Sequence, residues 1–332
     1  MSEKTILVTG GAGYIGSHVV RQLGEAGEDV VVLDDLSTGF RRAVLHGDLV
    51  IGSTGDRGCL EALFERYEID TVMHFAARTI VPESVADPLR YYGNNTCASR
   101  TLLARAIDAG VKHFVFSSTA AVYGMPNDGK ASEDSPTLPI NPYGLSKLMT
   151  EWMLRDVAAV SALRYVTLRY FNVAGSDPEG RIGQSTPKAT LLTKVACEAA
   201  VGKRESVAIF GTDYPTPDGT GVRDYIHVED LADAHVKALC YLRDGGSSTT
   251  LNCGYGHGYS VREVLQMVEQ VAGCTLNITE EPRRDGDPPT LIAEAQRIRD
   301  LLGWQPQLDD LEAIVTSALN WERKLADESW AA

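Results

Sequence analysis

The sequence predicts an α/β protein with a doubly wound parallel sheet, followed by a smaller C-terminal α/β domain. Three observations support this prediction. Short β-branched runs alternate with stretches that carry apolar residues at helical spacing, as in successive βαβ units. Some runs, such as Val30–Leu33, are apolar at every position, as expected of strands covered on both faces. After residue 172 the elements become shorter, and turn clusters at 177–180 and 214–219 interrupt them.

The N-terminal part of the chain alternates strands with helices. Its predicted strands are Thr5–Thr9, Val30–Leu33, Leu49–Ile51, Thr71–Phe75, His113–Ser117 and Tyr165–Tyr170. Its predicted helices are Ile15–Ala26, Arg57–Tyr67, Asn95–Ala109 and Tyr143–Val157. The C-terminal part is predicted to hold helices near 188–201, 228–243, 260–271 and 309–325, and small strands near 207–210 and 249–253.

This change of pattern predicts two domains. Residues 1–172 are expected to form the first and residues 173–332 the second, with 222–245 returning to pack on the first. In open α/β sheets the ligand lies beyond the carboxyl ends of the strands. The loop-rich second domain is therefore expected to close over that edge.

The composition is that of a globular protein. Hydrophobic residues make up 44% and charged residues 23%, which excludes the disordered and fibrous classes. The formal net charge of −14 disfavours non-specific binding to nucleic acid or to an anionic membrane. Binding of an anionic small molecule is still compatible with this net charge, because a local cluster of arginines can outweigh the negative potential of the whole protein.

The sequence also indicates where the protein works. No stretch approaches the ~18 consecutive apolar residues of a membrane span. The apolar run at Thr5–Thr9 is too short for the core of a signal peptide. The six cysteines form neither a C-x-x-C pair nor a cysteine–histidine cluster with zinc spacing. We therefore expect a cytoplasmic protein with reduced cysteines and no metal site.

A glycine loop connects the first predicted strand to the first predicted helix. It contains Gly10, Gly13 and Gly16 at the spacing that lets backbone amides approach a pyrophosphate at a helix N-terminus. Asp34, at the end of the next strand, can accept hydrogen bonds from the ribose hydroxyls of adenosine and repel a 2′-phosphate. The loop and Asp34 together predict NAD rather than NADP. The alternative is that Asp34 merely begins a turn.

A tyrosine–lysine pair opens the helix that follows Pro142. Tyr143 and Lys147 are spaced i, i+4, so the phenol and the ammonium share one helix face. A tyrosine of ordinary pKa is a poor base at pH 7, but a lysine ammonium and a nicotinamide cation would both lower that pKa. Tyr143 is therefore a candidate general acid/base. Ser117 and Thr119 end the strand before this helix and could hydrogen-bond a substrate oxygen.

Motifs spread over nearly the whole chain carry a family resemblance. They are Val8–His18, His74–Ala77, Phe116–Thr119, Asn141–Lys147, Leu168–Asn172, Ile209–Tyr214, Asp218–Val228 and Arg283–Asp287. On these motifs the sequence resembles the extended short-chain dehydrogenase/reductase family and, within it, its UDP-sugar 4-epimerases. The glycine loop and Tyr-x-x-x-Lys are typical of the superfamily, whereas Arg223–Val228 is more specific to the epimerases.

The resemblance implies a Rossmann domain that binds NAD over 1–172 and a UDP-sugar-binding domain over 173–332. Besides Gly10, Gly13 and Gly16, the implied NAD contacts are Tyr14, Ile15, Asp34, Asp35, Ser37, Thr38, Thr54, Phe75, Ala76, Ala77, Asn94, Ser117, Tyr143, Lys147 and Tyr170. The implied UDP-sugar contacts are Thr119, Tyr143, Asn172, Leu191, Ala208, Phe210, Arg223, Arg284, Asp287 and Leu291. The chemistry is consistent: arginines neutralise a diphosphate, an aromatic ring stacks on uracil, and a carboxylate accepts from ribose.

The sequence departs from the family pattern at four places. Gly52-Ser53 stands where an Asp commonly meets the adenine amine. Thr79 stands where some members have a lysine, and Thr190 where Asn or His is usual. Leu291 occupies the position that sets the room for a 2-N-acetyl group, so acceptance of N-acetylhexosamines stays open.

The activity implied is the interconversion of UDP-galactose and UDP-glucose. Tyr143 as phenolate takes the 4-OH proton while hydride passes from C4 to NAD⁺, and the resulting 4-keto sugar turns before hydride returns to its other face. Lys147 keeps the pKa of Tyr143 low, and Thr119 positions O4. Together Tyr143, Lys147 and Thr119 are the expected catalytic residues.

Several alternatives remain. The protein could epimerise another UDP-sugar, such as a pentose, a uronate or an N-acetylhexosamine. Nucleotide-sugar 4,6-dehydration needs an added acid–base pair, commonly Asp-Glu after the threonine, but here Ala120 and Ala121 follow Thr119. A non-catalytic NAD-binding scaffold would be expected to lack the tyrosine. The family also implies a homodimer packed through Asn95–Ala109 and Tyr143–Val157 as a four-helix bundle.

Overall fold

The computed structural model describes residues 4–126, 128–186, 190–284 and 286–327. Its strands are β1 (Thr5–Thr9), β2 (Val30–Asp34), β3 (Asp48–Ile51), β4 (Ile69–His74), β5 (His113–Ser117), β6 (Lys130–Ala131), β7 (Arg164–Tyr170), β8 (Asn172–Ala174), β9 (Val207–Phe210), β10 (Val222–Arg223), β11 (Tyr225–His227), β12 (Thr249–Cys253), β13 (Tyr259–Ser260), β14 (Ile278–Glu281) and β15 (Thr290–Ala293). The predicted helix start at 188 and Asp285 of the segment Arg283–Asp287 lie outside the described residues.

The helices, in chain order, are α1 (Tyr14–Glu25), α2 (Arg57–Arg66), α3 (Val81–Ala86), α4 (Pro88–Tyr91), α5 (Ala98–Asp108), α6 (Pro142–Ala158), α7 (Leu192–Ala200), α8 (Val228–Arg243), α9 (Val261–Ala272), α10 (Gln296–Leu302) and α11 (Leu311–Asp327). A π-helical turn, Tyr92–Cys97, precedes α5, and short 3₁₀ turns span Arg41–Ala43 and Ala120–Val122.

The main sheet has seven parallel strands in the order β12-β7-β5-β4-β1-β2-β3. Alternate residues of one strand enter different cores: Ile6 and Val8 pack with α1 and α8, whereas Leu7 packs with α2 and α5. Both faces of the sheet are therefore covered by helices, which explains its uninterrupted apolar strands. The predicted doubly wound parallel sheet is confirmed.

The C-terminal half contributes to this sheet. α8 packs on α1, and β12 pairs in parallel with β7 from Thr249↔Val166 to Cys253↔Tyr170. The chain thus returns to the first sheet after β11. The division into 1–172 and 173–332 stays a prediction.

The remaining strands form smaller sheets beyond the carboxyl edge of the main one. Four of them are ordered β13-β10-β15-β6, and β8 pairs with β11 and β9 with β14. β6 comes from the segment between β5 and α6, so that segment is shared between the main sheet and the smaller sheets. Among the described residues no helix is long and apolar enough to cross a membrane.

Candidate active site

The glycine loop between β1 and α1 has no room for side chains. A Cβ on Gly16 would lie 2.3 Å from the carbonyl oxygen of Gly10. Gly10 has φ +73°, and a Cβ there would lie 2.5 Å from the backbone nitrogen of Ala76. No side chain caps the start of α1, whose N-cap residue is Gly13. Because first-turn amides lack intrahelical partners, the loop presents N–H groups and a positive dipole end to an anion.

Asp34 is buried at the end of β2, beside this loop. Its carboxylate accepts from the backbone N–H of Ala12 at 2.9 Å and from that of Leu36 at 2.8 Å. Burial raises the pKa of Asp34, and the two backbone hydrogen bonds oppose that rise. The carboxylate is thereby fixed, with lone pairs left for the hydroxyls of a ribose. The other predicted residues of this loop are exposed: Asp35, Ser37 and Thr38.

The remaining predicted NAD contacts lie at the carboxyl ends of the central strands or next to them. The amide of Phe75 donates to the carbonyl of Thr9, which holds the residues after β4 against the glycine loop. Tyr170 ends β7, and its hydroxyl is hydrogen-bonded to the side chain of Ser117. Asn94 lies in the π-helical turn and donates to the Asn95 side chain at 3.1 Å. The others are buried or half-buried: Tyr14, Ile15, Thr54, Ala76 and Ala77.

The predicted catalytic residues meet at the same edge. Asn141 caps α6 by accepting from the Gly144 amide, which sets Tyr143 in the first turn. The side chain of Thr119 is hydrogen-bonded to the Tyr143 hydroxyl. Lys147 donates to the carbonyl of Ser117 at 2.8 Å. All three catalytic candidates are buried, and these bonds place Thr119 beside Tyr143 and Lys147 beside the end of β5.

Burial dominates the electrostatics of this group. It raises the pKa of Tyr143 well above the ordinary value, and the hydrogen bond from Thr119 opposes the rise. It lowers the pKa of Lys147 to about 7, against an opposing effect of the Glu151 carboxylate. Burial thus opposes the lowered pKa of Tyr143 that the sequence analysis expects beside Lys147 and a nicotinamide cation, and that lowering stays a prediction for the protein with its cofactor bound. A phenolate here requires a positive charge placed next to the ring.

A second cluster of predicted residues lies on the smaller sheets. Arg223, on β10, donates to the Asp287 carboxylate at 2.8 Å. The guanidinium of Arg284 lies 3.6 Å from the centroid of the Phe210 ring. Leu291 stands beside Arg223 in the parallel pairing of β10 with β15. The cluster thus offers two cations, an aromatic face and a carboxylate. Ala208, half-buried, lies on β9 two residues before Phe210.

Two further predicted residues connect the clusters. Asn172 begins β8, and its backbone N–H donates to the backbone carbonyl of Asp224 at 2.9 Å. Asp224 is the residue that follows Arg223. The strand that carries Tyr170 therefore continues beside the arginine cluster. Leu191 precedes α7 without a side-chain cap, so the first amides of that helix are available to an anion.

The departures from the family pattern are mostly on the surface. Thr79 and Thr190 are exposed, and the Ser53 hydroxyl accepts from the Gly55 amide at 3.1 Å. Ser53 is thus engaged in its own turn, and a Cβ on Gly52 would meet the Cys59 sulfur at 2.4 Å.

Sequence reasoning missed several buried polar residues around the site. Asn95 in the π-helical turn bridges the Arg78 backbone and the Ser146 hydroxyl. Glu151 on α6 and Arg169 on β7 form a buried ion pair. The i, i+4 spacing of Lys147 and Glu151 was a readable signal. A π-helical turn, by contrast, has no sequence signature from which Asn95 could be placed.

Within the described ranges no group of His, Cys, Asp or Glu side chains has the geometry to hold a metal ion. The candidate side chains that meet at the site are the Tyr143 phenol, the Lys147 amine and the Thr119 hydroxyl, beside the glycine loop.

Comparison with known proteins agrees with this geometry. Residues 6–254 match the model of the NAD dependent epimerase/dehydratase family. The chain is 59% identical to a UDP-glucose 4-epimerase of Azospirillum brasilense over 96% of this chain and 92% of that protein. It is similar to the crystal structure of UDP-glucose 4-epimerase from Brucella ovis in complex with NAD, with a TM-score of 0.93 and 42% identity over 96% of this chain and 98% of the other. The UDP-Glc/GlcNAc 4-epimerase of Campylobacter jejuni gives a TM-score of 0.85 and 47% identity, over 97% and 99% of the two chains.

Proposed function

This chain belongs to the NAD dependent epimerase/dehydratase family, and we propose from that premise that it interconverts UDP-galactose and UDP-glucose. The observation that carries the proposal is the convergence of Thr119 and Lys147 around Tyr143 at the sheet edge that also holds the glycine loop. The catalytic pair alone is common to many oxidoreductases. The arginine–aromatic cluster adds recognition of a nucleoside diphosphate.

The residues present fit NAD as the cofactor. A Cβ at Gly10 or Gly16 would clash with neighbouring backbone, so only glycine allows the tight loop that presents its amides to a pyrophosphate, and Asp34 is fixed beside this loop. A buried carboxylate at that position repels a 2′-phosphate, which favours NAD over NADP. When bound, NAD supplies the acceptor and donor of hydride at C4 of the sugar.

The side chains of this protein manage the proton. Tyr143 accepts the proton of the 4-hydroxyl as C4 is oxidised to a ketone, and gives it back when C4 is reduced on the opposite face. Thr119 hydrogen-bonds the same region and orients O4. Lys147, anchored to the Ser117 carbonyl, places a positive charge beside the phenol. Since burial disfavours the phenolate, nearby cationic charge is what brings its pKa into a working range.

The second cluster is proposed to anchor UDP while the sugar turns. Arg223 and Arg284 supply forked donors for the diphosphate, and the open amides at the start of α7, after Leu191, add to them. Phe210 offers its face to uracil, and Asp287 accepts from ribose hydroxyls. Ala208, Asn172 and Leu291 are proposed to complete the pocket. Because UDP is held by this cluster and the sugar reacts beside Tyr143, the keto sugar can turn and present either face to the nicotinamide.

The test is proton NMR of the purified protein with UDP-galactose and no added cofactor. Formation of UDP-glucose supports the proposal. Tyr143→Phe is expected to lower the rate about 10²–10⁴-fold, because it removes the acid/base. Tyr165→Phe is the matched control: Tyr165 is half-buried on β7 and should leave the rate unchanged. Near-full turnover by the Tyr143 variant would refute the assignment.

A second substrate class has a specific observation in its favour. Leu291 lies beside Arg223, and it is smaller than a tyrosine at the position that limits the 2-substituent. The similar protein from Campylobacter jejuni is described as a UDP-Glc/GlcNAc epimerase. Adding UDP-N-acetylgalactosamine to the same NMR assay decides whether N-acetylhexosamines are also substrates.

The proposed assembly is a cytoplasmic homodimer formed through α5 and α6. In its support, Trp152 on α6 is 42% exposed, and Leu89 on α4, which packs against α6, is 79% exposed. Such large apolar side chains on adjacent helices favour a four-helix interface. The six unpaired cysteines are compatible with a reducing compartment. Sedimentation equilibrium that finds only monomer would contradict the dimer.

A further inference from the structure

Three consecutive residues at the end of β5 are each bonded to α6. The Ser117 carbonyl accepts from Lys147 at 2.8 Å, and the Thr119 side chain is bonded to Tyr143. Between them, the Ser118 hydroxyl donates to Glu151 at 2.5 Å. The two outer bonds involve predicted catalytic residues. The middle bond has no role in the mechanism described above.

The Glu151 carboxylate is held in place from the other side. Arg169, on the neighbouring strand β7, donates to both of its oxygens, at 2.6 Å in the shortest bond. Both partners are buried, Glu151 with 6% and Arg169 with 7% of their surface exposed. Arg169 also donates to the Tyr123 hydroxyl at 3.0 Å, and Tyr123 donates to Asn252 on β12 at 2.6 Å. The carboxylate is therefore fixed to the rigid centre of the main sheet.

We propose that Glu151 is a positioning residue for the reaction: by holding Ser118 it fixes the end of β5, and hence Thr119, relative to Tyr143 on α6. The inference rests on the proposed function and extends it beyond the three catalytic residues. Ser117 and Thr119 flank Ser118, so any shift of Ser118 is passed to both neighbours through the backbone. Proton transfer depends steeply on such geometry, and a misplacement of about 1 Å can cost about 10²-fold in rate.

Stability alone is a weak explanation for this ion pair. Replacing a buried ion pair by apolar residues is often neutral or stabilising, because desolvation costs about as much as the attraction returns. What the pair supplies here is direction: Arg169 orients both carboxylate oxygens, which leaves one acceptor site aimed at Ser118. Two apolar residues in place of Glu151 and Arg169 could fill the same volume, but they could not accept a hydrogen bond from the Ser118 hydroxyl.

The carboxylate also acts on the charge of Lys147, one helical turn away. Burial lowers the pKa of Lys147, and Glu151 opposes that effect. The titratable groups that interact with the lysine charge from neighbouring elements are His74 on β4 and His235 on α8, and Tyr143 precedes the lysine by four residues on its own helix. Loss of the Glu151 charge would leave Arg169 uncompensated and lower the pKa of Lys147 further. The alkaline pH at which activity declines should then be lower than in the wild-type protein.

The experiment compares Glu151→Gln, Ser118→Ala and the double variant with the wild-type holoenzyme. Glu151→Gln should lower kcat about 10- to 100-fold with the affinity for UDP, measured by calorimetry, within about twofold. Ser118→Ala keeps the ion pair and should lower kcat by a smaller factor. The double variant should be no slower than Glu151→Gln, since Glu151 positions Thr119 through Ser118. The alkaline limb of the kcat profile should move to lower pH in Glu151→Gln and in the double variant, and should stay where it is in Ser118→Ala.

The control is Glu322→Gln, which breaks another buried carboxylate cluster, formed with Lys194 and Lys203 between α11 and α7. It should lower the melting temperature and leave kcat and its pH profile unchanged. Equal kcat in wild type and Glu151→Gln, additive effects in the double variant, or a Glu322→Gln profile shifted like that of Glu151→Gln would overturn the inference. If Glu151→Gln does not fold, Ser118→Ala decides by itself through its kcat. A wild-type protein that converts no UDP-sugar would instead refute the proposed function.

Discussion

Leu36 adopts a backbone conformation that L-residues rarely take. Its φ is +57°, and among the described residues it is the sole non-glycine with a positive φ. The strain occurs where the amide of Leu36 donates to Asp34, so the turn is what aims that N–H at the carboxylate. Backbone strain of about 1–3 kcal/mol persists only where the surroundings impose it. The conformation therefore supports the position of Asp34 in the proposed cofactor site.

This turn leads to a prediction about NAD retention. Leu36→Ile should destabilise the fold by about 1–2 kcal/mol, because a β-branched residue fits the left-handed region poorly. The variant should also purify with less bound NAD, measured by enzymatic assay of the heat-released cofactor. Leu36→Asn, which tolerates the same φ, is the control and should keep the wild-type content. Full NAD content in the isoleucine variant would contradict the assigned role.

Three buried histidines make the fold sensitive to acid. Burial lowers the pKa of His74 to about 3 and the pKa values of His227 and His235 to about 4, from 6.5. Below pH 6.5 the unfolded chain binds protons that the folded chain does not, so stability is lost as pH falls from 6.5 toward 4. Each histidine should account for about 1.4 kcal/mol per pH unit in that window.

His235→Leu isolates one of these contributions. One ring nitrogen of His235 bonds the Leu231 carbonyl, and the other is buried without a partner among the described atoms. The leucine variant should therefore lose about 1.4 kcal/mol per pH unit of the pH dependence between pH 6 and 5, measured by urea unfolding. His46→Gln, at an exposed histidine, should leave the slope as it is. An unchanged slope in His235→Leu would show that the ring is already protonated in the fold.

At the scale of elements, the helix α6, which carries the proposed catalytic tyrosine and lysine, depends on its first turn. Asn141 accepts from the Gly144 amide at 2.9 Å, and Pro142 occupies the first helical position. Asn141→Ala should cost about 1 kcal/mol in the free energy of unfolding, whereas Asn141→Ser, which restores the cap, should cost much less. Urea unfolding measures both. Because Tyr143 lies in the same turn, kcat should be lower in Asn141→Ala than in Asn141→Ser. Equal kcat values in the two variants would show that the cap does not affect catalysis.

The elements of the main sheet could be predicted because their signals are local. Val30–Leu33 is apolar throughout and bounded by turn residues, and the strand found is Val30–Asp34. The π-helical turn before α5 and the two-residue strands β6, β10 and β13 gave no such signal. A two-residue strand exists only because a distant strand pairs with it, as β15 does with β6. No window of sequence around Lys130 contains that information.

The site shows the same division between local and distant signals. Tyr143 and Lys147 could be placed on one helix face from spacing alone. The direction of the Tyr143 pKa could not, because burial depends on how β5, β7 and α6 pack together. The bond from Ser118 to Glu151 joins residues 33 positions apart and required the fold to be seen.

At the scale of the whole molecule, the two proposed ligand clusters lie on separate sheets. The glycine loop and Asp34 belong to the main sheet, whereas Arg223 and Arg284 lie on or near the smaller sheets. The joining segments include β6, between Thr119 and Tyr143, and Asn172 beside Asp224. This arrangement predicts that UDP affinity and NAD retention can be changed independently.

Arg284→Ala tests this independence. Arg284 lies against Phe210, and loss of a charged hydrogen-bond donor to a diphosphate costs about 1.5–3 kcal/mol. The Kd for UDP should therefore rise about 10- to 150-fold by calorimetry, and the protein should keep its NAD. The neighbouring Arg283 is paired with Asp213 at 2.7 Å and stacked on Tyr214, so Arg283→Ala is the control and should affect UDP much less. If Arg284→Ala released NAD while UDP affinity stayed as it was, the arginine would have to belong to the cofactor site, and the division of labour between the sheets would be wrong.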